Sequence, residues 1–142
     1  DNMGRYAARN TIKLMLRQGM DAPRCKVGIL GMTFKENCPD IRNSKVIDMV
    51  SEFQSWGMQV VVSDPVADAD EVLREYGISL QTINAAHPVD VLVVAVGHSA
   101  YRALTPEQLK TFTRGAQPIL ADIKSLYDRN AAAAAGFTVF RL

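Results

Sequence analysis

The sequence has few cysteines, no excess of either charge and no long apolar run, and each shortage excludes a class of protein. Two cysteines, Cys25 and Cys38, are too few for a disulfide scaffold, and with only two scattered histidines they form no metal-binding pattern. The 16 Lys and Arg nearly balance the 15 Asp and Glu, so the basic excess of a nucleic-acid-binding protein is missing. No apolar run approaches the ~20 residues of a membrane span. We therefore expect a soluble, cytoplasmic protein without a metal, a nucleic-acid partner or a membrane anchor.

The length and composition favour one globular domain. With 142 residues, 48% hydrophobic and 22% charged, the chain is large enough to bury a core without covalent staples. It begins Asp1-Asn2-Met3-Gly4, with neither an initiator methionine nor a leader, and enters a helical pattern at once. We therefore expect a piece of a longer protein.

Short apolar runs alternate with amphipathic patterns along the chain. Apolar strands separated by helices of about ten residues are typical of a parallel sheet covered on both faces. The sequence therefore predicts an α/β fold with a doubly wound, Rossmann-like parallel sheet, preceded by an N-terminal helix. The predicted helices cover 2–19, 44–56, 68–76, a segment beginning near 105, and 126–135, and the predicted strands cover 27–31, 60–62, 91–96, 119–121 and 138–140, with a brief one at 78–80.

The first predicted helix carries a stripe of cations. Arg5, Arg9, Lys13 and Arg17 recur every four residues, which stacks them on one face beside the apolar face that includes Leu16. This stripe is either a solvated surface or a surface that meets acidic groups on a partner chain or a further domain.

Ligands of open parallel sheets bind beyond the carboxyl ends of the strands. Four segments leave those ends, at 31–42, 64–68, 97–102 and 122–128. They carry four cations that we expect to converge on an anionic ligand such as a phosphate ester: Lys35, Arg42, Arg102 and Lys124.

The segment 31–42 is long for a connection between a strand and a helix, and long connections often carry function. Lys35 can place a point charge on a phosphate, and Arg42 can bind one through two parallel hydrogen bonds. The alternative is that both are surface cations paired with Glu36 and Asp40.

The turn after the first strand lacks the glycine-rich fingerprint of dinucleotide-binding domains. It reads Gly31-Met32-Thr33-Phe34, with larger residues where G-x-G-x-x-G requires glycine. We therefore expect no independent NAD binding of that type, although Asp64 ends the second strand as a ribose-binding acid would.

Four further residues are weaker candidates. Cys38 lies near cations that would favour its thiolate, but no histidine is close to it in sequence. His98 follows the most apolar strand, so a binding role and a purely hydrogen-bonding role are both open. Cys25 fits a packing role, and His87 fits a loop.

Three ordered motifs carry a family resemblance: LGMTFKENCPDIRNS at 30–44, VSDP at 62–65 and DIKSLYD at 122–128. Together they resemble the C-terminal, UDP-binding domain of the UDP-glucose/GDP-mannose dehydrogenase family. The first motif is most similar to the UDP-N-acetylhexosamine (GlcNAc/GalNAc) branch, and residues 2–4 resemble the start of the family's linker helix.

The resemblance implies part of an NAD-dependent enzyme that oxidises the C6 hydroxymethyl of a UDP-sugar to a uronate. It implies that Phe34 and Lys35 contact the substrate, Lys124 its diphosphate, and Arg42 the NAD across a cleft. Lys124 departs from the arginine that many members carry. The catalytic cysteine and the glycine fingerprint would lie upstream, so no residue here is catalytic.

The resemblance also implies an organisation of the chain. Residues 1–22 would be a linker and dimerisation helix, and residues 23–142 the nucleotide-sugar-binding domain, with an N-terminal NAD-binding domain upstream and a homodimer in the full-length enzyme.

Three alternatives remain open at this point. The first is a UDP-glucose or GDP-mannose dehydrogenase, and the second is a non-catalytic nucleotide-binding or dimerisation module of the same fold. The third, a receiver-like signalling domain, needs acids after its first strand, where this sequence has Gly31-Met32-Thr33.

Overall fold

A computed structural model describes residues 2–142 as alternating helices and strands. Within them, no helix is long and apolar enough to cross a membrane. The helices are α1 (Met3–Arg17), α2 (Val46–Ser55), α3 (Ala69–Tyr76), α4 (Ser99–Arg102), α5 (Pro106–Lys110) and α6 (Arg129–Ala134), with one 3-10 turn at Ala22–Arg24. The strands are β1 (Lys26–Leu30), β2 (Gln59–Ser63), β3 (Val91–Val94), β4 (Ile119–Asp122) and β5 (Thr138–Arg141).

The strands form one parallel sheet in the order β2-β1-β3-β4-β5. The predicted doubly wound fold is thereby confirmed. The strand order reverses between β1 and β3, which pair from Val27 opposite Val91 to Leu30 opposite Val94. In such sheets the crevice for a ligand opens beyond the carboxyl ends of these two strands.

Alternate residues of each central strand enter opposite cores. Val91 and Val93 of β3 pack with α1, α2 and α3, whereas Leu92 and Val94 pack with Tyr101, α5 and α6. Burial on both faces explains why β3 reads as an unbroken apolar run rather than an alternating one.

Helix α1 packs against α2 and the sheet, and it partly resolves the cationic stripe. Arg5 and Arg9 lie 3.8 and 3.4 Å from the Glu52 carboxylate of α2, so they meet an acid of the same chain. Lys13 and Arg17 are exposed. Leu16 was predicted on the apolar face, but it is half exposed because the buried stripe runs through Thr11, Ile12 and Met15 instead.

Three predicted elements need correction. Residues 78–80 form no strand. Ile78 and Leu80 pack against the core, and the hydrogen bond to β2 comes from the next residue, from the Gln81 N–H to the Val62 carbonyl. The last helix starts at Arg129 rather than 126, because the Asp128 carboxylate caps it. Strand β3 ends at Val94 rather than 96, because the last bond to β1 runs from the Ala95 N–H to the Leu30 carbonyl at 2.9 Å and Gly31 then turns away with a φ of +109°.

Gly31 supports a specific stability prediction. Its φ is +109°, and an added Cβ would lie 2.7 Å from Cβ of Val96. Gly115 has a similar φ of +93° but open space around it. We expect Gly115→Ala to lower the free energy of unfolding by about 1–2 kcal/mol through backbone strain alone, and Gly31→Ala by a further 1–3 kcal/mol through overlap.

Urea unfolding of the two variants beside the wild type measures this difference. Equal losses would show that the contact between Gly31 and Val96 imposes no constraint.

Candidate functional site

A cavity of about 230 Å³ opens beyond the carboxyl ends of β1, β3 and β4, at the reversal of strand order. Its walls come from the segments that follow those three strands. They are Phe34, Lys35, Glu36, Val96, Gly97, Arg102 and Lys124.

Three of the four cations singled out in the sequence line this cavity: Lys35, Arg102 and Lys124. Three positive charges around a crevice favour an anionic ligand, and Lys35 and Lys124 are free to rotate toward one because both are exposed. The structure therefore brings together most of the predicted cationic cluster.

Arg42 lies elsewhere, in a shallow depression shared with Asp40 and α3. Its guanidinium donates from Nε and Nη2 to the Asp40 carboxylate at 3.0 and 2.9 Å. These bonds from Arg42 hold the pKa of Asp40 at about 2. The expectation that Arg42 converges with the other cations is thus wrong, because its pairing with Asp40 turns it outward.

Glu36 pairs across the cavity with Arg102, at 3.3 Å between Oε2 and Nη2, rather than with the neighbouring Lys35. This ion pair passes over Gly97, where an added Cβ would lie 3.1 Å from the guanidinium and 3.2 Å from the carboxylate. Gly97 escaped the sequence analysis, since no pattern marks a glycine that makes room for an ion pair.

Phe34 adds a large apolar surface to the cationic wall, since its side chain is about half exposed at the cavity. An exposed aromatic ring beside three cations is suited to a ligand with a flat or apolar part and a phosphate part.

The turn that carries Lys124 is built by the buried Asp122 at the end of β4. Its two carboxylate oxygens accept the N–H groups of Leu126 and Tyr127, each at 2.9 Å, and Ser125 adopts a positive φ of 54°. This closed turn holds the Lys124 backbone beside the cavity.

Asp64, at the end of β2, plays the same part for the turn after β1. Its carboxylate accepts the N–H groups of Met32 (2.6 Å) and Thr33 (3.3 Å), those of residues 66 and 67, and a bond from His98 (3.0 Å). Burial acts to raise the pKa of Asp64, but these hydrogen bonds outweigh it and lower the pKa.

The site of a dinucleotide pyrophosphate is therefore filled by the protein itself. A Rossmann turn offers free backbone N–H groups to phosphate, whereas those of Met32 and Thr33 already donate to Asp64. NAD does not fit this turn, and Asp64 is not positioned as a ribose ligand.

Three further hydrogen bonds, one within the segment 31–42 and two from residues outside it, hold the rest of this segment in place. The Phe34 N–H donates to the Asp40 carbonyl at 2.7 Å, the Ser44 hydroxyl to the Met32 carbonyl at 2.8 Å, and the Tyr76 hydroxyl to the Ile41 carbonyl at 2.6 Å. This framework leaves Phe34, Lys35 and Glu36 as its exposed apex.

Asn37 is a second residue that the sequence analysis missed. It has a φ of +56°, and its amide bonds both the N–H and the hydroxyl of Ser99, at 2.9 Å each. The tolerance of asparagine for positive φ was the available signal. Through this contact Asn37 ties the Lys35 segment to α4, which carries Arg102.

The remaining candidates divide by burial. Cys25 is buried in the core, and burial, followed by Asp90 and Asp21, raises the pKa of its thiol. Cys38 is partly exposed, and His87 is exposed in a loop. His98 is completely buried and makes hydrogen bonds instead of lining the cavity.

Fold and site together define a class: a Rossmann-like domain with an anion-suited crevice at its switch point and no dinucleotide loop. Residues 28–129 match the model of the UDP-glucose/GDP-mannose dehydrogenase family, UDP binding domain. The chain belongs to this family.

Relatives and solved structures agree with this assignment. The chain is 42% identical over 125 residues to UDP-N-acetyl-D-glucosamine 6-dehydrogenase of Salmonella typhi, covering 87% of the chain and 29% of the relative. It is 30% identical over 139 residues to UDP-glucose 6-dehydrogenase of Rhizobium meliloti, covering 96% and 31%. The chain thus spans less than a third of the length of these relatives.

The crystal structure of NDP-N-acetyl-D-galactosaminuronic acid dehydrogenase from Methanosarcina mazei Go1 superposes with a TM-score of 0.86 at 23% identity. The match covers 97% of this chain and 28% of that one, and it shows that the fold is shared.

The Asp64 carboxylate supports a prediction about pH. Because its folded pKa lies below the ordinary 3.8, it stabilises the fold above about pH 4, and this contribution is lost as the pH falls through the lower folded value. Asp64→Asn presents an amide N–H to groups that need an acceptor, so we expect it to lose about 2–3 kcal/mol at pH 7.

Urea unfolding between pH 3 and 7 tests this prediction, and the gap between variant and wild type should narrow at the acid end. Asp68→Asn is the matched control, since asparagine caps α3 about as well as aspartate. A gap that stays constant with pH would contradict the role of the ionised carboxylate.

Proposed function

We propose that this chain is the UDP-binding, C-terminal domain of an NAD-dependent nucleotide-sugar 6-dehydrogenase, which oxidises the C6 hydroxymethyl of a UDP-sugar to a carboxylate. The observation that carries the proposal is the meeting of Lys35, Arg102 and Lys124 with Phe34 in the crevice at the switch point of the sheet. Family membership supports the reaction class.

The proposed roles follow the chemistry of each side chain. Phe34 and Lys35 contact the substrate, and Lys124 contacts the diphosphate as a point charge, since lysine lacks the two-pronged geometry of arginine. Arg42 points away from this crevice, in keeping with a contact to NAD held by another domain.

The proposed substrate is a UDP-N-acetylhexosamine. The higher identity to the N-acetylglucosamine enzyme of Salmonella typhi than to the UDP-glucose enzyme of Rhizobium meliloti supports this branch. UDP-glucose and GDP-mannose are the alternative substrates.

The proposed organisation divides the chain at residue 22. Residues 1–22 serve as the linker and dimerisation helix, and residues 23–142 form the nucleotide-sugar-binding domain. On α1, Met3, Tyr6 and Leu16 are each about half exposed, which supports an interface on that helix. NAD binds mainly to an N-terminal domain of the same chain, because the N–H groups of Met32 and Thr33, at the start of the turn after β1, already donate to Asp64.

We expect UDP to bind the 142-residue chain and to shift the amide NMR signals of residues 34–37, Gly97 and Lys124. Lys35→Ala and Lys124→Ala should each raise the dissociation constant about tenfold, because each removes a charged contact to phosphate. Isothermal titration calorimetry measures the change.

Two variants with the same loss of charge serve as controls. Lys13→Ala alters an exposed cation on α1, and Arg42→Ala alters one outside the crevice, so both should leave UDP affinity unchanged. An equal loss in all four variants would contradict a specific site and indicate a non-specific effect of net charge.

We expect the chain by itself to produce no NADH when mixed with NAD⁺ and UDP-N-acetylglucosamine, because within residues 2–142 no cysteine lines the crevice and the turn after β1 does not fit NAD. Absorbance at 340 nm measures this outcome. NADH formation by the purified chain would overturn the division of labour between domains.

A further inference from the structure

His98 is the one imidazole in residues 2–142 that is fully buried, and the roles proposed above leave it unused. It lies in the segment that leaves β3, between Gly97 of the cavity wall and the first turn of α4. Its ring packs at a tilt of 48° on that of Tyr101, with centroids 5.5 Å apart.

The bonds of the imidazole define its protonation. The Asn37 N–H donates to Nδ1 at 2.9 Å, so Nδ1 carries no proton. Nε2 therefore carries the proton and donates it to the Asp64 carboxylate at 3.0 Å, with the Thr33 hydroxyl oxygen 3.3 Å away. The ring is neutral, since Nδ1 accepts a hydrogen bond and Nε2 donates one.

The ring contacts the residues on both sides of the exposed apex, 34–36. After the apex, Nδ1 accepts the N–H of Asn37 directly. Before the apex, Nε2 contacts Thr33, whose hydroxyl donates to the Lys35 carbonyl at 2.9 Å. The three residues between these anchors, 34–36, are those that line the cavity.

We propose that His98 is a positioning residue, a neutral Nε2–H imidazole that holds residues 34–36 in the geometry needed to bind the nucleotide. The inference rests on the proposed function for the ligand, but the hold on the segment is a property of the unliganded chain. Asp64 supports the ring by fixing its tautomer, as second partners of functional histidines do.

The groups that face the imidazole limit how it could act otherwise. They are the Asp64 carboxylate after β2, the Thr33 hydroxyl and Asn37 N–H after β1, and the Tyr101 ring of α4. Asp64 already accepts four backbone N–H groups, so the ring is not needed to satisfy that carboxylate, whereas the Asn37 N–H has no acceptor other than the ring among its hydrogen bonds.

Two conservative variants separate the two bonds of the ring. In His98→Asn the amide oxygen stands where Nδ1 stood, the same number of bonds from Cα, and can still accept the Asn37 N–H. In His98→Gln the amide nitrogen stands where Nε2 stood and can still donate to Asp64. Both variants replace the buried ring with a smaller or thinner side chain, so both lose packing contacts.

The first test needs no ligand. Nitrogen-15 NMR of the wild type should show His98 as the Nε2–H tautomer, distinct from the exposed His87. Amide hydrogen exchange at Asn37 should be about tenfold faster in His98→Gln than in His98→Asn, because opening of the segment exposes this N–H. The Nδ1–H tautomer, or equal exchange in the two variants, would overturn the proposal.

The second test uses UDP as the probe. We expect His98→Asn to stay within about threefold of the wild-type dissociation constant and His98→Gln to weaken binding about tenfold, with His87→Asn as the neutral control. Urea unfolding checks that the two His98 variants have similar stability. Equal UDP affinity in the two His98 variants would overturn the positioning role of His98 and leave it a purely structural role.

The two tests keep the proposals apart. If UDP fails to bind the wild-type chain, the proposed function of this chain by itself fails, while tautomer and exchange still decide the hold of His98 on the segment. If UDP binds but exchange at Asn37 is the same in both variants, the inference about His98 fails and the proposed function stands.

Discussion

The carboxylate of Asp64 organises the functional edge of this domain. In a Rossmann-like sheet the turn after the first strand presents free N–H groups, and in dinucleotide-binding members these bind pyrophosphate. Here Asp64 accepts the N–H groups of Met32 and Thr33, along with two from its own turn. The protein thus supplies its own anion at the site where a cofactor anion would otherwise bind, and this contact directs the segment 31–42 outward.

Asp122 repeats the arrangement after β4, where its carboxylate closes the turn that carries Lys124. In both cases a buried acid at the end of a strand orders a turn, and the turn presents a lysine to the solvent side of the crevice. Burial of a carboxylate is costly unless its oxygens are hydrogen-bonded, and backbone N–H groups meet that need without introducing another charge. Lys35 and Lys124 therefore stay available to a ligand.

The two arginines near this edge differ in how firmly an acid of the same chain pairs with them. Arg42 is held by Asp40, two residues away, and faces outward. Arg102 is held more loosely by Glu36 at 3.3 Å, with both side chains about half exposed, so water screens this pair and it contributes little to stability. An ion pair of this kind can exchange its partner for a phosphate, which is the property that a ligand-binding crevice requires.

Much of this protein follows from the sequence by itself. The alternation of apolar runs with amphipathic helices determines the doubly wound parallel sheet, because each pattern leaves one way to bury its apolar residues. The missing glycines after Gly31 exclude the dinucleotide loop, and the motifs at 30–44, 62–65 and 122–128 identify the family. The tertiary structure decided the rest. That Arg42 lies outside the crevice depends on its pairing with Asp40, two residues away. That Gly97 makes room for the ion pair of Glu36 with Arg102, and that His98 accepts the N–H of Asn37, depends on contacts between residues 66 and 61 positions apart. Periodicity and spacing do not encode those choices, since a cation in a loop has several acids within reach and only the packed chain selects one.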